Sequence, residues 1–450
     1  MTDCAKKITF GTKKAGGGLI KTAVFLISGQ SLSKNVTPRG EQAMEPFDTE
    51  LLRAINRYRV LDAIRRFGPL SRADICAQTK LGRTTVTEII GNLSEEGVVG
   101  NAPEEAARGR GRPVEKLHIK PDAAFVVGAL VAVHQLSIVV TNLRADPLAS
   151  VNIPIRTTRH PAETVAYMLE DGIKAAVDQA GLSMSQVAGV GVGIPGFIDA
   201  AHGISHWSPA LGSEPIRFAE MLQGQIGTPV VIENDANMAT LAERWFGYGQ
   251  DVDNFILVTI EGGIGMGLFI HGDLFSGQHG MAAEFGHMKM DLKGPLCRCG
   301  QHGCLEAYAG YYAIVREARK VIDLPPTTDE VSIERTAHEV AKRARAGDER
   351  LLKIFQEAGE TLGLGIANLI NVIDPGKVII TGGGVRTADL IAPSVRQAVE
   401  TYSVKALRGR CEIVFHDWSD EVLARGAAAL VLQGLYRNPW SRSSAIAVAV

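Results

Sequence analysis

Between Leu51 and Phe67 the apolar residues Leu51, Leu52, Ile55, Val60, Leu61 and Ile64 recur at helical spacing, which predicts an amphipathic helix, and Gly68-Pro69 ends it. Ser71 then caps a short helix reaching Thr79. Leu81-Gly82 turns into a third helix, RTTVTEIIGNLSEEG, closed at Gly97. Two short helices joined by a tight turn make a helix-turn-helix pattern, whose second helix puts its first polar residues on base edges. Here those residues are Arg83, Thr84, Thr85 and Thr87, with Ser71 and Arg72 opening the preceding helix as further DNA contacts. The segments VVGN and VEKLHI that follow predict a two-stranded wing.

From Ala123 the pattern changes to apolar runs of strand length alternating with helical ones. FVVGALVAV and LSIVVTNL predict a strand pair, and PAETVAYMLEDGIKAAVDQAG a helix. VAGVGVGIPG, PVVIEND, NFILVTI and GKVIITGGG predict further strands, each ending in a turn or a helix. The fold class is therefore α/β, with two similar lobes, and a ligand is expected beyond the strand ends. The expected domains are a tail over 1–48, a winged helix-turn-helix with its linker over 49–120, and a two-lobed domain over 121–440.

Composition adds little about partners, since the formal net charge is -2. No apolar run is long enough to span a bilayer. Lys13, Lys14 and Lys21 before TAVFLIS imitate a signal peptide, but no small-residue cleavage site follows. The first 43 residues read as a disordered tail or, with Met44 just before the first periodic segment, as an upstream start codon. Cys4, Cys76 and Cys411 are too scattered for a secreted disulfide framework, which places the chain in a reducing compartment, the cytoplasm. ARGRGRP contains Arg110-Gly111-Arg112-Pro113, which is either a solvated linker or a cationic arm for a narrow minor groove. The neighbouring helix-turn-helix favours the second reading. Basic residues only modestly outnumber acidic ones over 49–120, so two copies on two half-sites would be needed for firm binding.

CRCGQHGC places Cys297, Cys299 and Cys304, three of the chain's six cysteines, in one short loop. Three thiolates there can surround one tetrahedral ion and need a fourth ligand, which His287 in EFGHM supplies. Cys3His is a closed structural zinc set with no position for a catalytic water. His302 as the fourth ligand, or cysteines without a metal, are the alternatives, and His302 would strain the loop that contains it. ENDAN ends a strand, so Asn234 and Asp235 are placed to bond adjacent sugar hydroxyls, to cap a helix, or both. EGGIGMG and TGGG are glycine-rich strand turns that let backbone approach a ligand, a weak signal without a P-loop lysine.

Together these motifs resemble the ROK family of sugar kinases and sugar-responsive repressors. The added helix-turn-helix resembles its repressor branch, the xylose and N-acetylglucosamine repressors. The resemblance runs from Leu51 to Leu435 and is carried by EFGH and CRCGQHGCLE. It implies an actin-like, ribonuclease H-like sugar-kinase fold with zinc on His287, Cys297, Cys299 and Cys304. It implies a sugar held by Gly196, Asn234, Asp235, Glu284, His287 and Glu306. The expected function is repression of carbohydrate uptake or catabolism genes by a homodimer or tetramer on operator DNA, altered by a sugar or sugar phosphate.

Where the family's kinases have D-x-G-G-T, this chain reads Leu130-Val131-Ala132-Val133-His134, and where they have G-T-G-x-G it reads Glu261-Gly262-Gly263-Ile264-Gly265. Phosphoryl transfer needs positioning and charge neutralisation at those loops, so the resemblance implies no enzyme activity and leaves Asp235 a vestigial general base. An ATP-dependent sugar kinase and a docking module governed by a protein partner are the alternative functions.

Overall fold

The computed structural model describes residues 49–103, 115–157 and 160–438. Arg110, Arg112, Met44 and the lysine-rich segment before it lie outside the described residues.

Three helices come first: α1 (Thr49–Phe67), α2 (Arg72–Thr79) and α3 (Arg83–Glu95). α2 starts where Ser71 Oγ accepts the Asp74 amide and Asp74 accepts the Ser71 amide, so two helix-end donors are satisfied by a four-residue motif. On α3, Val86, Ile90 and Leu93 form the buried stripe that its spacing predicts. β1 (Val99–Asn101) and β2 (Leu117–Ile119) pair antiparallel as the wing. The unit is a winged helix-turn-helix.

β3 (Phe125–Val131), β4 (Gln135–Asn142) and β5 (Pro147–Pro154) form an antiparallel meander. After α4 (Ala162–Gln179), β6 (Val187–Ile194) joins parallel to β3. A hairpin of β7 (Phe197–Asp199) and β8 (Ile204–Trp207) and the helix α5 (Phe218–Ile226) precede β9 (Val230–Asn234), parallel to β6. The sheet order is β5-β4-β3-β6-β9.

α6 (Asp235–Phe246) leads into a second round of the same plan. β10 (Phe255–Ile260), β11 (Ile264–Ile270) and β12 (Asp273–Leu274) are antiparallel. The helices α7 (Glu306–Ala309), α8 (Tyr311–Ala318), α9 (Glu330–Arg345) and α10 (Glu349–Ile373) follow. β13 (Lys377–Thr381) then pairs parallel with β10, and after α11 (Ala388–Tyr402) β14 (Glu412–Phe415) pairs parallel with β13. The order β12-β11-β10-β13-β14 repeats that of the first sheet, so the expected two similar lobes are a duplicated topology.

α12 (Asp420–Arg437) comes last yet lies on the first sheet. A Cβ on Gly128 would sit 2.0 Å from the Ala424 carbonyl oxygen and one on Gly191 2.1 Å from that of Ala427, so glycine on the strands lets the alanine-rich helix approach this closely. Each lobe has its own core. A third core joins Val86, Ile90 and Leu93 of α3 to Trp245 of α6 and to Leu432 and Tyr436 of α12. Burying Trp245 and Tyr436 removes on the order of 150–250 Å² each from water, worth roughly 4–6 kcal/mol apiece before ordering costs.

The glycine-rich stretch Glu261–Gly267 is not one turn. Only Glu261–Gly263 form the β10–β11 turn, closed by the Glu261 amide on the Gly263 carbonyl at 2.8 Å, and Ile264–Gly267 belong to β11. Alternating Ile264, Met266 and Leu268 supply a strand period, and Gly267 faces α6, where a Cβ would meet Thr240 Oγ1 at 1.8 Å. That glycine serves helix-on-sheet packing. Among the described residues no helix is long and apolar enough to cross a membrane.

Candidate functional site

β9 ends at Asn234 and α6 begins at Asp235 with no loop between them. Asn234 caps the helix: its Oδ1 accepts the Ala236 amide at 2.9 Å and the Asn237 amide at 3.4 Å, and its Nδ2 donates to the Gly196 carbonyl at 2.9 Å. Of its two Nδ2 hydrogens one remains for a ligand. Gly196 has φ 117, and a Cβ there would lie 2.2 Å from the Trp207 carbonyl oxygen, so no other residue fits. The next residue, Phe197, sets its ring 5.7 Å from that of Trp207 and 6.4 Å from that of His287, centroid to centroid.

Asp235 accepts the Ala236 amide at 2.9 Å, yet burial pushes its carboxyl up to about 6. Behind it Glu233 is buried, accepts from the Asn234 amide and from Asn237 Nδ2, and is pushed up to about 7 by burial. Glu284 Oε2 lies 3.8 Å from His287 Nε2, and burial, then the charges of Glu306 and Asp235, push it up to about 7. Glu306, buried at the start of α7, accepts the Ile264 amide at 3.2 Å and faces Arg298 Nε at 3.5 Å. Contacts and felt charge thus connect Gly196, Asn234, Asp235, Glu284, His287 and Glu306.

The ligand atoms of His287, Cys297, Cys299 and Cys304 lie within 4.8 Å of one another. Cys297 Sγ is 3.7 Å from His287 Nδ1, and Cys299 Sγ is 3.7 Å from Cys304 Sγ. Sulfur at about 2.3 Å and nitrogen at about 2.0 Å from a central ion give tetrahedral edges of roughly 3.5–3.8 Å, so the two 3.7 Å pairs match such edges and the set, within 4.8 Å overall, could hold a small tetrahedral cation. His302 is turned away, its Nδ1 bonded to the Gly294 carbonyl at 2.9 Å. Lys289 Nζ, 2.9 Å from Cys304 Sγ, and the Tyr312 hydroxyl, 3.7 Å from Cys297 Sγ, donate to the thiol groups from outside.

A second charged cluster surrounds the β3–β4 and β10–β11 turns. His134 Nε2 lies 3.2 Å from Asp420 Oδ2, an interaction that raises the imidazole above its ordinary value, and Gln135 donates to the same oxygen at 3.0 Å. Glu261 is reached by solvent, yet protein surrounds it on the scale over which charge is felt. Burial, then Asp235, Asp420 and Glu334, push its carboxyl up to about 8 against the opposing effect of His134. Leu130, at the end of β3, is buried with Val139 and Ala424. Sequence reasoning quoted Arg298 within CRCGQHGC and His134 after β3 without giving either a role, and it missed Asp420, because a lone charge carries no spacing signal that says what it will face.

The ROK family profile matches residues 128–434, from the first sheet to the end of α12. The chain belongs to the ROK family. Among curated ROK relatives, the DNA-binding transcriptional dual regulator NagC of Escherichia coli K12 is 27% identical over 400 residues, covering 89% of this chain and 97% of NagC. A solved ROK family transcriptional regulator, a homologue of the E. coli MLC protein, superposes with a TM-score of 0.70 at 27% identity, covering 86% of this chain and 97% of its own. The ROK hexokinase of Thermus thermophilus is also 27% identical, with a TM-score of 0.59, but covers 68% of this chain and 97% of its own.

The ROK profile begins after the wing, so the winged helix-turn-helix is additional to it. On α3, Arg83, Thr84 and Thr87 are exposed, Thr85 is half-buried, and Thr87 Oγ1 donates to the Arg83 carbonyl at 2.8 Å. Arg72 pairs with Glu115, just before β2, at 2.6 Å. Ser71 is buried and its hydroxyl is engaged by Asp74, so its side chain serves the cap and does not face outward as a DNA contact would.

Proposed function

We propose that this ROK chain is a DNA-binding transcriptional regulator whose operator affinity is set by a sugar or sugar phosphate. The observation that carries this reading is that an outward-facing α3 shares a core with Trp245 of α6, the helix whose first turn carries the carboxamide and carboxylate set at Asn234 and Asp235, all within one unit. The hydroxyls would meet Asn234, Asp235, Glu284, His287 and Glu306, with the Gly196 backbone against the ring. Repression of carbohydrate uptake or catabolism genes follows the naming of N-acetylglucosamine repressors among its relatives. Two copies would bring two α3 helices to successive half-sites, as a helix-turn-helix dimer does.

We assign zinc to the His287, Cys297, Cys299 and Cys304 set. Three thiol groups and an imidazole with no open position hold it as a structural ion, and its chemistry there is to fix the loop. That loop keeps His287 and Glu306 at the site.

A thermal-shift screen with xylose, glucose, N-acetylglucosamine and its 6-phosphate tests the reading, because a ligand that binds only the folded state raises the melting temperature. The active sugar should then change operator affinity in a gel-shift titration. A tenfold change corresponds to about 1.4 kcal/mol. No thermal shift and no change in DNA binding across the panel would sink the proposal.

A sugar kinase is the second reading, favoured by Asp235, whose carboxyl at about 6 suits proton transfer near neutrality. Against it, the β3–β4 turn carries no acid and Leu130 is buried, while Glu261 sets a carboxylate beside the turn that would need to accept phosphates. Sugar-dependent ATP consumption abolished by Asp235→Asn would favour the kinase; its absence favours the regulator.

A further inference from the structure

The far end of α6 holds α1 through a polar cluster that neither sugar nor DNA contact accounts for. Asp62 of α1 is buried, and three guanidinium groups surround it: Arg65 Nη2 at 2.6 Å, Arg244 Nη2 at 3.5 Å and Arg66 Nη1 at 3.8 Å. Arg65 also donates to the Trp245 carbonyl at 3.2 Å and lies 4.1 Å over the indole. Arg66 and Arg244 both donate to the Gln250 carbonyl in the loop after α6, and Arg66 reaches Asp251 at 3.1 Å.

Two physical properties set this contact apart. The cluster is imperfectly satisfied by protein groups: Arg65 Nε, Arg244 Nε and Trp245 Nε1 are buried without a protein hydrogen-bond partner, and one buried carboxylate faces three cations. Each missing partner costs stability, so an alternative arrangement of the contact competes more easily than it would in a close-packed apolar interface. α6 itself is the opposite. Every residue from Ala236 to Trp245 is buried, and twelve residues make a rod of about 18 Å that shifts as a body more readily than it bends.

We infer that Asp62, Arg66 and Arg244 are positioning residues that couple the Asn234–Asp235 end of α6 to the setting of α1, and through the shared core to α3. This rests on the reading of that end as the sugar site. Closure around a sugar displaces the first turn of α6, the rod carries the displacement to Arg244 and Trp245, and the under-satisfied cluster re-forms around Asp62 with α1 in a different position. An equal affinity for both arrangements would transmit nothing, so the sugar must favour one of them.

The test uses the full chain with Asp62→Asn and, separately, Arg66→Ala, whose side chain is partly exposed and tolerates removal. In the first arm, calorimetry with the sugar active in the thermal-shift panel is paired with gel shifts on an operator selected from random-sequence DNA. The expected result is a sugar Kd within about twofold of wild type and a sugar-induced change in operator affinity reduced at least fivefold. The second arm needs no sugar: hydrogen–deuterium exchange of peptides 57–67 in Asn234→Ala, alone and combined with Asp62→Asn. Exchange in α1 should rise at least threefold in Asn234→Ala and rise no further in the double variant than in Asp62→Asn alone. Full sugar response in both first-arm variants, or α1 exchange indifferent to Asn234→Ala, overturns the coupling. A wild type that binds no sugar but shows the second-arm effect sinks the sugar reading and leaves the coupling standing.

Discussion

Asn234 Nδ2 and the Gly196 carbonyl oxygen are 2.9 Å apart, so one side chain ties the loop after β6 to the first turn of α6 that its own Oδ1 caps. Asn234→Ala should therefore cost about 1 kcal/mol through the cap, a fall of roughly 1 °C in melting temperature, and at least tenfold in sugar affinity. Asn234→Asp keeps the cap acceptor and loses the donor. It should melt near wild type and still lose sugar affinity, which differential scanning fluorimetry with and without sugar resolves.

Cys299 is exposed while Cys297 and Cys304 are buried, so a chelator or Cys299→Ser should open the metal site from outside. The expected sequence is loss of bound zinc by mass spectrometry, at least a tenfold loss of sugar affinity, and operator affinity without sugar held within about threefold. Equal losses of sugar and operator binding would make the metal a general fold stabiliser instead.

Glu261 faces Asp235, Asp420 and Glu334, with His134 as the opposing cation, and its folded value of about 8 stands above its ordinary 4.5. Between those values the folded chain keeps a proton that the unfolded chain has released, so this group's contribution is intact below about pH 4.5 and is lost as pH rises to about 8. Glu261→Gln should melt higher than wild type at pH 8.5, and the gap should close by pH 5. A constant gap across that range would mean that the carboxyl ionises normally in place.

The helix-turn-helix separates two kinds of loss. Arg83→Ala or Thr84→Ala should weaken a selected operator by about 1–3 kcal/mol per lost base contact, while random DNA loses far less. Ser71→Ala should lower the melting temperature through its cap, with the ratio of operator to random DNA affinity unchanged. Fluorescence anisotropy on both DNAs decides it, and a specificity loss in Ser71→Ala would return that hydroxyl to the DNA surface.

Much of the fold was legible because its signals are local. The Ser71 to Asp74 cap, the α3 stripe and the strand runs each occupy a single turn or strand, and the loop of cysteines states most of its own ligand set. The Glu261–Gly267 stretch misled because glycine has two uses, and only the position of Thr240, on a neighbouring helix, tells which applies. Asp62, Arg244 and Trp245 were unreadable for the same reason. Nothing in a helix of mixed charge says which of its arginines another helix will bury, since that depends on residues some 180 positions away.

The place of α12 has a consequence for how the protein is made. Gly128 and Gly191 wait for Ala424 and Ala427, and Leu143 accepts the Tyr436 hydroxyl at 2.9 Å, so the first lobe and the floor under α1 lack a surface until α12 has been synthesised. At about 5–20 residues per second that interval is on the order of tens of seconds. During it the emerging winged helix has no seat, and a nascent or prematurely terminated chain cannot hold it in a regulated position. Only a chain that already includes α12 would be competent to answer a sugar.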